Sequence, residues 1–314
     1  QYSYSYIEAQ TKQFATGLLD GSKDLNEERI AFLIPASLDY VVVLHGIWRA
    51  GGIAIPLNVS ATESETEHCL SSSGTTRLIV SRQEVKRMAP LCNRLSISLK
   101  TVGDCLSDAS SILPDISAAR RAMIIFTSGT TSKPKGVVTT HLTIDTQIST
   151  LIDAWEWTKN DVIPLFLPLH HVHGLINVLS CALCIGATVY VMPKLELDNL
   201  CSLVAANRFN LFMAVPTIYV KLIDHLESID SVDAQAVRDG FRKMRLNVSG
   251  SATLVGGSAT QIALDVNAVN STADVIDITA NALTTGTALN IQGNALTTTD
   301  SQSQVTGSLI HCNT

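Results

Sequence analysis

The sequence predicts an α/β protein in which parallel sheets are flanked by helices, followed by a short repetitive segment that is either β-like or disordered. Three observations carry this. Apolar runs of strand length alternate with longer segments of helical period from residue 1 to about 250. A loop rich in hydroxyls, glycine and lysine follows one of the apolar runs. At about residue 252 the composition changes abruptly.

The elements follow in order. Residues 37–50 carry a helical pattern that stops at Gly51 and Gly52, and residues 53–57 (Ile-Ala-Ile-Pro-Leu) read as a short strand. Residues 77–80 (Arg-Leu-Ile-Val) and 123–126 (Met-Ile-Ile-Phe) read as further strands, the second of them buried. Leu142, Ile144, Ile148, Leu151, Ile152 and Trp155 share one helix face. Residues 187–192 and 211–215 read as buried strands, Pro216 begins a helix through Leu226, and residues 245–248 form a last strand. Such alternation implies parallel sheets covered by helices.

The chain has 314 residues, is 46% hydrophobic and 16% charged, and carries a formal charge of −6. That length suits one large or two medium domains of ~100–200 residues each. The mild acidity argues against nucleic acid as the main partner. No uninterrupted apolar run reaches the ~18 residues of a membrane span. The chain begins with Gln1, so nothing about targeting follows from its start. Seven cysteines without a spacing pattern suggest reduced thiols in an intracellular protein. Cys181 and Cys184 form a C-x-x-C inside an apolar segment, where buried small residues are the simpler reading than a redox or zinc site.

The loop after residue 126 runs Thr127, Ser128, Gly129, Thr130, Thr131, Ser132, Lys133, Pro134, Lys135, Gly136. Backbone N–H groups of such a loop can converge on anionic oxygens, hydroxyls add short donors, and Lys133 and Lys135 add charge. Gly129 and Gly136 are expected to allow close approach and positive φ. It is not a Walker A loop, because its glycines are seven apart and Val137 follows the second. A second segment, residues 167–175, holds His170, His171 and His173. No Cys or carboxylate cluster lies near it in sequence, which disfavours a metal.

The 127–136 loop resembles the phosphate-binding signature of the acyl-adenylate-forming (AMP-binding) superfamily, which includes acyl-CoA synthetases. Ser132 stands where the usual pattern has Gly, with some loss of backbone freedom. Pro168-Leu-His-His-Val-His-Gly174 resembles that family's Pro-Leu-(Phe/His)-His-x-x-Gly segment. Three more segments fit in the right order. They are Trp48 to Asn58, Val215-Pro-Thr-Ile-Tyr219, and Arg245-Leu-Asn-Val-Ser-Gly-Ser-Ala252. The resemblance is collinear over roughly residues 1–252 and is nearest the malonyl-CoA synthetase type.

The resemblance implies a partial AMP-binding adenylation domain over 1–252, the large domain of an adenylating enzyme cut short. It implies ATP-dependent activation of a small, malonate-like carboxylic acid to acyl-AMP, then transfer to CoA, with Mg²⁺ accompanying ATP. Thr127 to Lys135 would hold the β- and γ-phosphates. His171 would border the acyl group, and Gly250, Ser251 and Ala252 would seat adenine. His173 would suit a small dicarboxylate; His170 and His173 can equally cap a turn or fill the core. The implied compartment is cytoplasmic or mitochondrial.

Residues 253–314 contain no Lys, Arg, Glu, Pro or aromatic residue. Ala263-Leu-Asp-Val266 recurs as Val275-Ile-Asp-Ile278 and Ala288-Leu-Asn-Ile291, and Asn281-Ala-Leu-Thr-Thr285 recurs at 294–298. A repetitive β array and a disordered tail both fit, and the segment is similar to phage or bacterial fibre-like repeats. The family's later segments, an aromatic-Gly-x-Thr-Glu, a Thr-Gly-Asp and a catalytic Lys domain, are not found here. A non-catalytic nucleotide-binding remnant, a fibre-like interaction protein and a chimeric reading frame are therefore the alternatives to an impaired ligase.

Overall fold

Two elements precede residue 37. Helix α1 (Tyr4–Leu19) is N-capped by Ser3, whose hydroxyl accepts from Tyr6 N, and strand β1 (Arg29–Leu33) has four of its five residues buried. The computed structural model describes residues 1–109, 112–127, 133–249 and 252–255. Helix α2 (Leu38–Arg49) leads to β2 (Ile53–Pro56), helix α3 (Glu63–Ser73) to β3 (Arg77–Val80), and helix α4 (Val85–Leu95) to β4 (Ser98–Thr101). Strand β5 (Arg121–Thr127) turns back as β6 (Lys135–Thr140).

These strands form one six-stranded sheet in the order β4-β3-β1-β2-β5-β6. Neighbours run parallel as far as β5, and β6 is antiparallel to it. The sheet carries apolar residues on both faces because both faces are covered: Phe32 and Ala54 face one cluster, Leu33 and Ile55 another. Parallel pairs need crossovers, and α2, α3 and α4 supply them. The expectation of parallel sheets flanked by helices is met here, with an antiparallel edge added.

The chain continues through α5 (His141–Ala154), capped by Thr140, to β7 (Val162–Leu165). A π-helical segment (His173–Ser180) runs directly into α6 (Cys181–Ile185). Strand β8 (Thr188–Val191) pairs in parallel with β7. Then come α7 (Leu197–Ala205), β9 (Leu211–Ala214), α8 (Pro216–Ser228), α9 (Ser231–Arg242), β10 (Leu246–Ser249) and β11 (Ala252–Val255). β10 is parallel to β9 and antiparallel to β11.

Two expectations need correction. Strand β8 is not buried: Tyr190 and Val191 are exposed, because β8 has a ladder partner on one side only among the described strands. The helix face read for α5 is met, since Ile144 is buried and Ile148, Leu151, Ile152 and Trp155 pack against the same core, with Leu142 alone exposed at its start. Cys181 is buried, with its thiol pushed up to about 12 by burial, but Cys184 is exposed. The repeats of residues 256–314 lie outside the described residues.

Asp161, just before β7, is 1% exposed and forms a clamp. Its carboxylate accepts from Thr158 N (2.7 Å), Asn210 Nδ2 (2.9 Å) and Arg245 Nη2 (2.8 Å). Arg245 Nη1 also donates to Trp155 O at 2.7 Å, and Asn210 Oδ1 accepts from Val162 N at 2.7 Å. The group ties the end of α5 and the starts of β7, β9 and β10 together.

Candidate active site

The lysine-bearing loop sits at the tip of a hairpin. Thr127, the last residue of β5, pairs with Lys135, the first of β6, and Phe126 pairs with Gly136. Ser128, Gly129, Thr130, Thr131 and Ser132 lie outside the described residues. Lys133 and Lys135 are exposed, and among the described residues neither joins an ion pair. Two cations therefore flank Pro134 without a counter-charge among the described residues, which suits an anionic ligand.

Gly136 works by close approach alone. A Cβ there would lie 2.9 Å from Ile124 Cγ2, and its backbone is extended, so the expected positive φ is absent. The loop is also pinned from outside. His68 Nε2 lies 2.8 Å from Pro134 O, and since a carbonyl only accepts, Nε2 carries the proton. The His68 ring meets Phe126 edge-on at 6.4 Å. Nothing in the sequence singles out His68, because its partner is a backbone oxygen 66 residues away.

The histidine turn follows the carboxyl end of β7. His171 is exposed, and its N–H donates to Pro168 O while its carbonyl accepts from Leu175 N. His170 lies 4.1 Å from His171 between ring centres; burial and then the His171 charge push its pKa down to about 4. Burial also holds His173 below the ordinary histidine value, and its Nε2 is buried without a partner among the described residues. His173 opens the π-helical segment, a rare geometry that recurs at functional sites. Gly174 is needed next to it: a Cβ would fall 2.6 Å from Pro168 O.

The turn is anchored by Tyr40, in the first turn of α2, whose hydroxyl donates to Leu169 O at 2.6 Å in a buried bond. Tyr40→Phe leaves that carbonyl unsatisfied and is expected to lower stability by about 1–3 kcal/mol. Urea unfolding of the two proteins checks it; equal midpoints would mean water replaces the hydroxyl.

The buried histidines also set an acid limit. His45 and His170 are pushed down to about 4, chiefly by burial, from an ordinary value of 6.5. Between those values the unfolded chain binds more protons than the folded one, so stability rises with pH across that window and is lost as pH falls through it. Unfolding midpoints measured at pH 7 and pH 5 should differ in that sense, and a midpoint unchanged at pH 5 would contradict neutral burial.

The third segment follows the carboxyl end of β10. Gly250 and Ser251 lie outside the described residues, and Ala252 begins β11, opposite Ser249. Tyr219 O–H donates to Val248 O at 3.0 Å and steadies β10 just before them. Each of the three segments thus leaves the carboxyl end of a strand, the position at which α/β sheets receive ligands. Among the described residues no three His, Cys, Asp or Glu side chains converge as a metal set.

A family model described as AMP-binding enzyme matches residues 1–276. The chain belongs to the AMP-binding enzyme family. That match runs past the compositional boundary near 252. The mitochondrial malonate–CoA ligase ACSF3 of Mus musculus is 36% identical over 253 residues, covering 75% of this chain and 43% of that protein. A malonate–CoA ligase of Arabidopsis thaliana is 30% identical over 257 residues, covering 75% of this chain and 42% of that protein. Among solved structures, ATP-bound MatB from Rhodopseudomonas palustris superposes with a TM-score of 0.69 at 26% identity, over 79% of this chain and 49% of MatB. This AMP-binding chain thus spans less than half the length of these curated relatives. No helix among its described residues is long and apolar enough to cross a membrane.

Proposed function

We propose that this chain supplies the nucleotide-gripping part of a ligase that activates a small, malonate-like carboxylic acid with ATP and passes the acyl group to CoA. The observation that carries the reading is the hairpin-tip loop, where Lys133 and Lys135 join no ion pair among the described residues and Thr127 and Lys135 are held in register. The malonate–CoA ligase names of the relatives support the acyl class.

In the first half-reaction a carboxylate oxygen bonds to the α-phosphorus of ATP, the bond to the β-phosphate oxygen breaks, and pyrophosphate leaves. Lys133 and Lys135, with loop residues Ser128 to Ser132, would bind the β- and γ-phosphates and stabilise the charge that collects on the leaving group. His171, exposed at the turn, would border the acyl carboxylate, while neutral His173 offers a donor or acceptor to a polar acyl tail. Gly250, Ser251 and Ala252 would seat the adenine. In the second half-reaction the CoA sulfur bonds to the acyl carbon and AMP leaves. Mg²⁺ would enter with ATP as substrate; the described residues present no ligand set for it, and no step is assigned to a protein-held ion. A mitochondrial or cytoplasmic setting accords with the mitochondrial relatives.

ATP–pyrophosphate exchange with malonate tests the reading. The full chain should exchange, and Lys133→Ala with Lys135→Ala should lower exchange at least about tenfold, as expected from losing charge-assisted bonds of ~1.5–3 kcal/mol. No exchange above background, beside a full-length relative that exchanges, removes the activity from this chain. The second reading is a nucleotide-binding remnant without catalysis. ATP binding without exchange is its signature.

A further inference from the structure

Pro134 stands between Lys133 and Lys135, just ahead of β6. Proline has no N–H, so the carbonyl is its one backbone hydrogen-bonding group. The ladder of β6 with β5 begins at Lys135, opposite Thr127, and does not include Pro134. The Pro134 carbonyl is instead taken by helix α3, through His68 Nε2 at 2.8 Å. A peptide unit is planar, and in the trans form its C=O and N–H point to opposite sides. Holding Pro134 O toward α3 therefore turns the Lys135 N–H to the far side and sets the direction in which the chain enters β6.

The helix that does the holding is itself fixed. It opens with a capping box: Thr62 Oγ1 accepts from Glu65 N at 3.3 Å, and Glu65 Oε2 accepts from Thr62 N at 2.8 Å. The box sets the first turn, and His68 follows three residues after Glu65. Leu70, 1% exposed, packs in one cluster with Ile124 of β5, and Phe126 packs against that cluster. The acidic residues of α3 have other partners: Glu63 and Glu67 pair with Arg94, and Glu65 with Thr62. His68 meets β5 as well, since its ring stands edge-on to Phe126. Phe126 in turn covers Gly136, where a Cβ would fall 3.4 Å from its ring. One side chain thus touches the end of β5 by ring contact and the approach to β6 by a hydrogen bond.

We infer that His68 is a positioning residue for the nucleotide. It acts on a backbone carbonyl and not on ATP, and it raises ATP affinity by holding Pro134 and the flanking Lys133 and Lys135 in one arrangement before the triphosphate arrives. A segment ordered in advance costs less to bind. The inference rests on the ligase reading of the two lysines. It differs from closure of the hairpin, which the β5–β6 ladder provides: the ladder sets the register, and His68 sets the facing of the peptide between the lysines.

Two substitutions separate the bond from the ring. His68→Phe keeps the contact with Phe126 and removes the donor; His68→Gln keeps an N–H donor and removes the ring. His68 is half-buried, so both chains are expected to fold. In calorimetric titration of ATP into the full chain, His68→Phe should weaken binding about two- to tenfold, the loss expected for one hydrogen bond. In ATP–pyrophosphate exchange it should raise the KM for ATP by the same factor and leave the KM for malonate in place. His68→Gln should recover most of the ATP affinity, which a role in packing alone would not allow. Without nucleotide, amide hydrogen exchange over residues 135–138 should quicken in His68→Phe. ATP affinity unchanged in His68→Phe, an equal loss in His68→Gln, or unchanged amide exchange over 135–138 overturns the inference and leaves the ligase reading standing. A wild-type chain that binds no ATP removes both.

Discussion

Replacing Arg245 by alanine should destabilise the protein by up to about 3–5 kcal/mol, the range for removing one partner of a buried ion pair, here one whose arginine is itself 32% exposed. The reason is Asp161, which is 1% exposed and would be left with only Thr158 N and Asn210 Nδ2 of the donors described. The guanidinium does more than neutralise. Its Nη1 also serves Trp155 O, so the loss leaves a carbonyl without its donor. Arg245→Lys keeps the charge and should recover only part of the stability, because an ammonium cannot make both contacts with a planar fork. Urea unfolding reads both variants. A loss below about 1 kcal/mol for Arg245→Ala would put the pair among surface bridges and remove the clamp as a structural element.

Phe212→Ala should cost a similar amount, about 3–5 kcal/mol, through the cavity it leaves. Phe212 is fully buried on β9, and three rings close around it: Phe166 at 5.6 Å, Tyr219 at 5.6 Å and Phe241 at 5.1 Å. Tyr219 is fixed at its other end by Val248 O, so its ring has little freedom to fill the gap. The substitution should therefore loosen β10 as well. Amide hydrogen exchange along β9 and β10 checks this, alongside the unfolding midpoint. Unchanged protection in β10 would show that the two strands respond separately.

Strand β9 is legible in the sequence because residues 211–214 are apolar throughout and Pro216 then marks the first turn of α8. Strand β1 is harder to read. Its five residues follow a charged stretch, and only pairing with β2 and β3 makes it the middle of the sheet. Strand β6 looks like loop because Lys135 and Gly136 begin it and Val137 and Val138 are exposed; its ladder with β5 carries it. At the candidate site, the lysines and histidines stand out by type and spacing. Their supports do not: His68 and Tyr40 act through backbone oxygens remote in sequence. Arg245 reads as part of a nucleotide-side motif, yet its own side chain turns inward to Asp161.

The pairing of Thr127 with Lys135 has a consequence for binding thermodynamics. The chain between them must leave and return across one interstrand gap, ~5 Å wide. Bringing its ends together is thus part of folding β5 against β6, and a polyphosphate that meets the loop does not have to supply that closure. Affinity there should respond to the residues at the tip far more than to the strands, so exchanging tip residues offers a way to retune anion binding while the hairpin keeps its register.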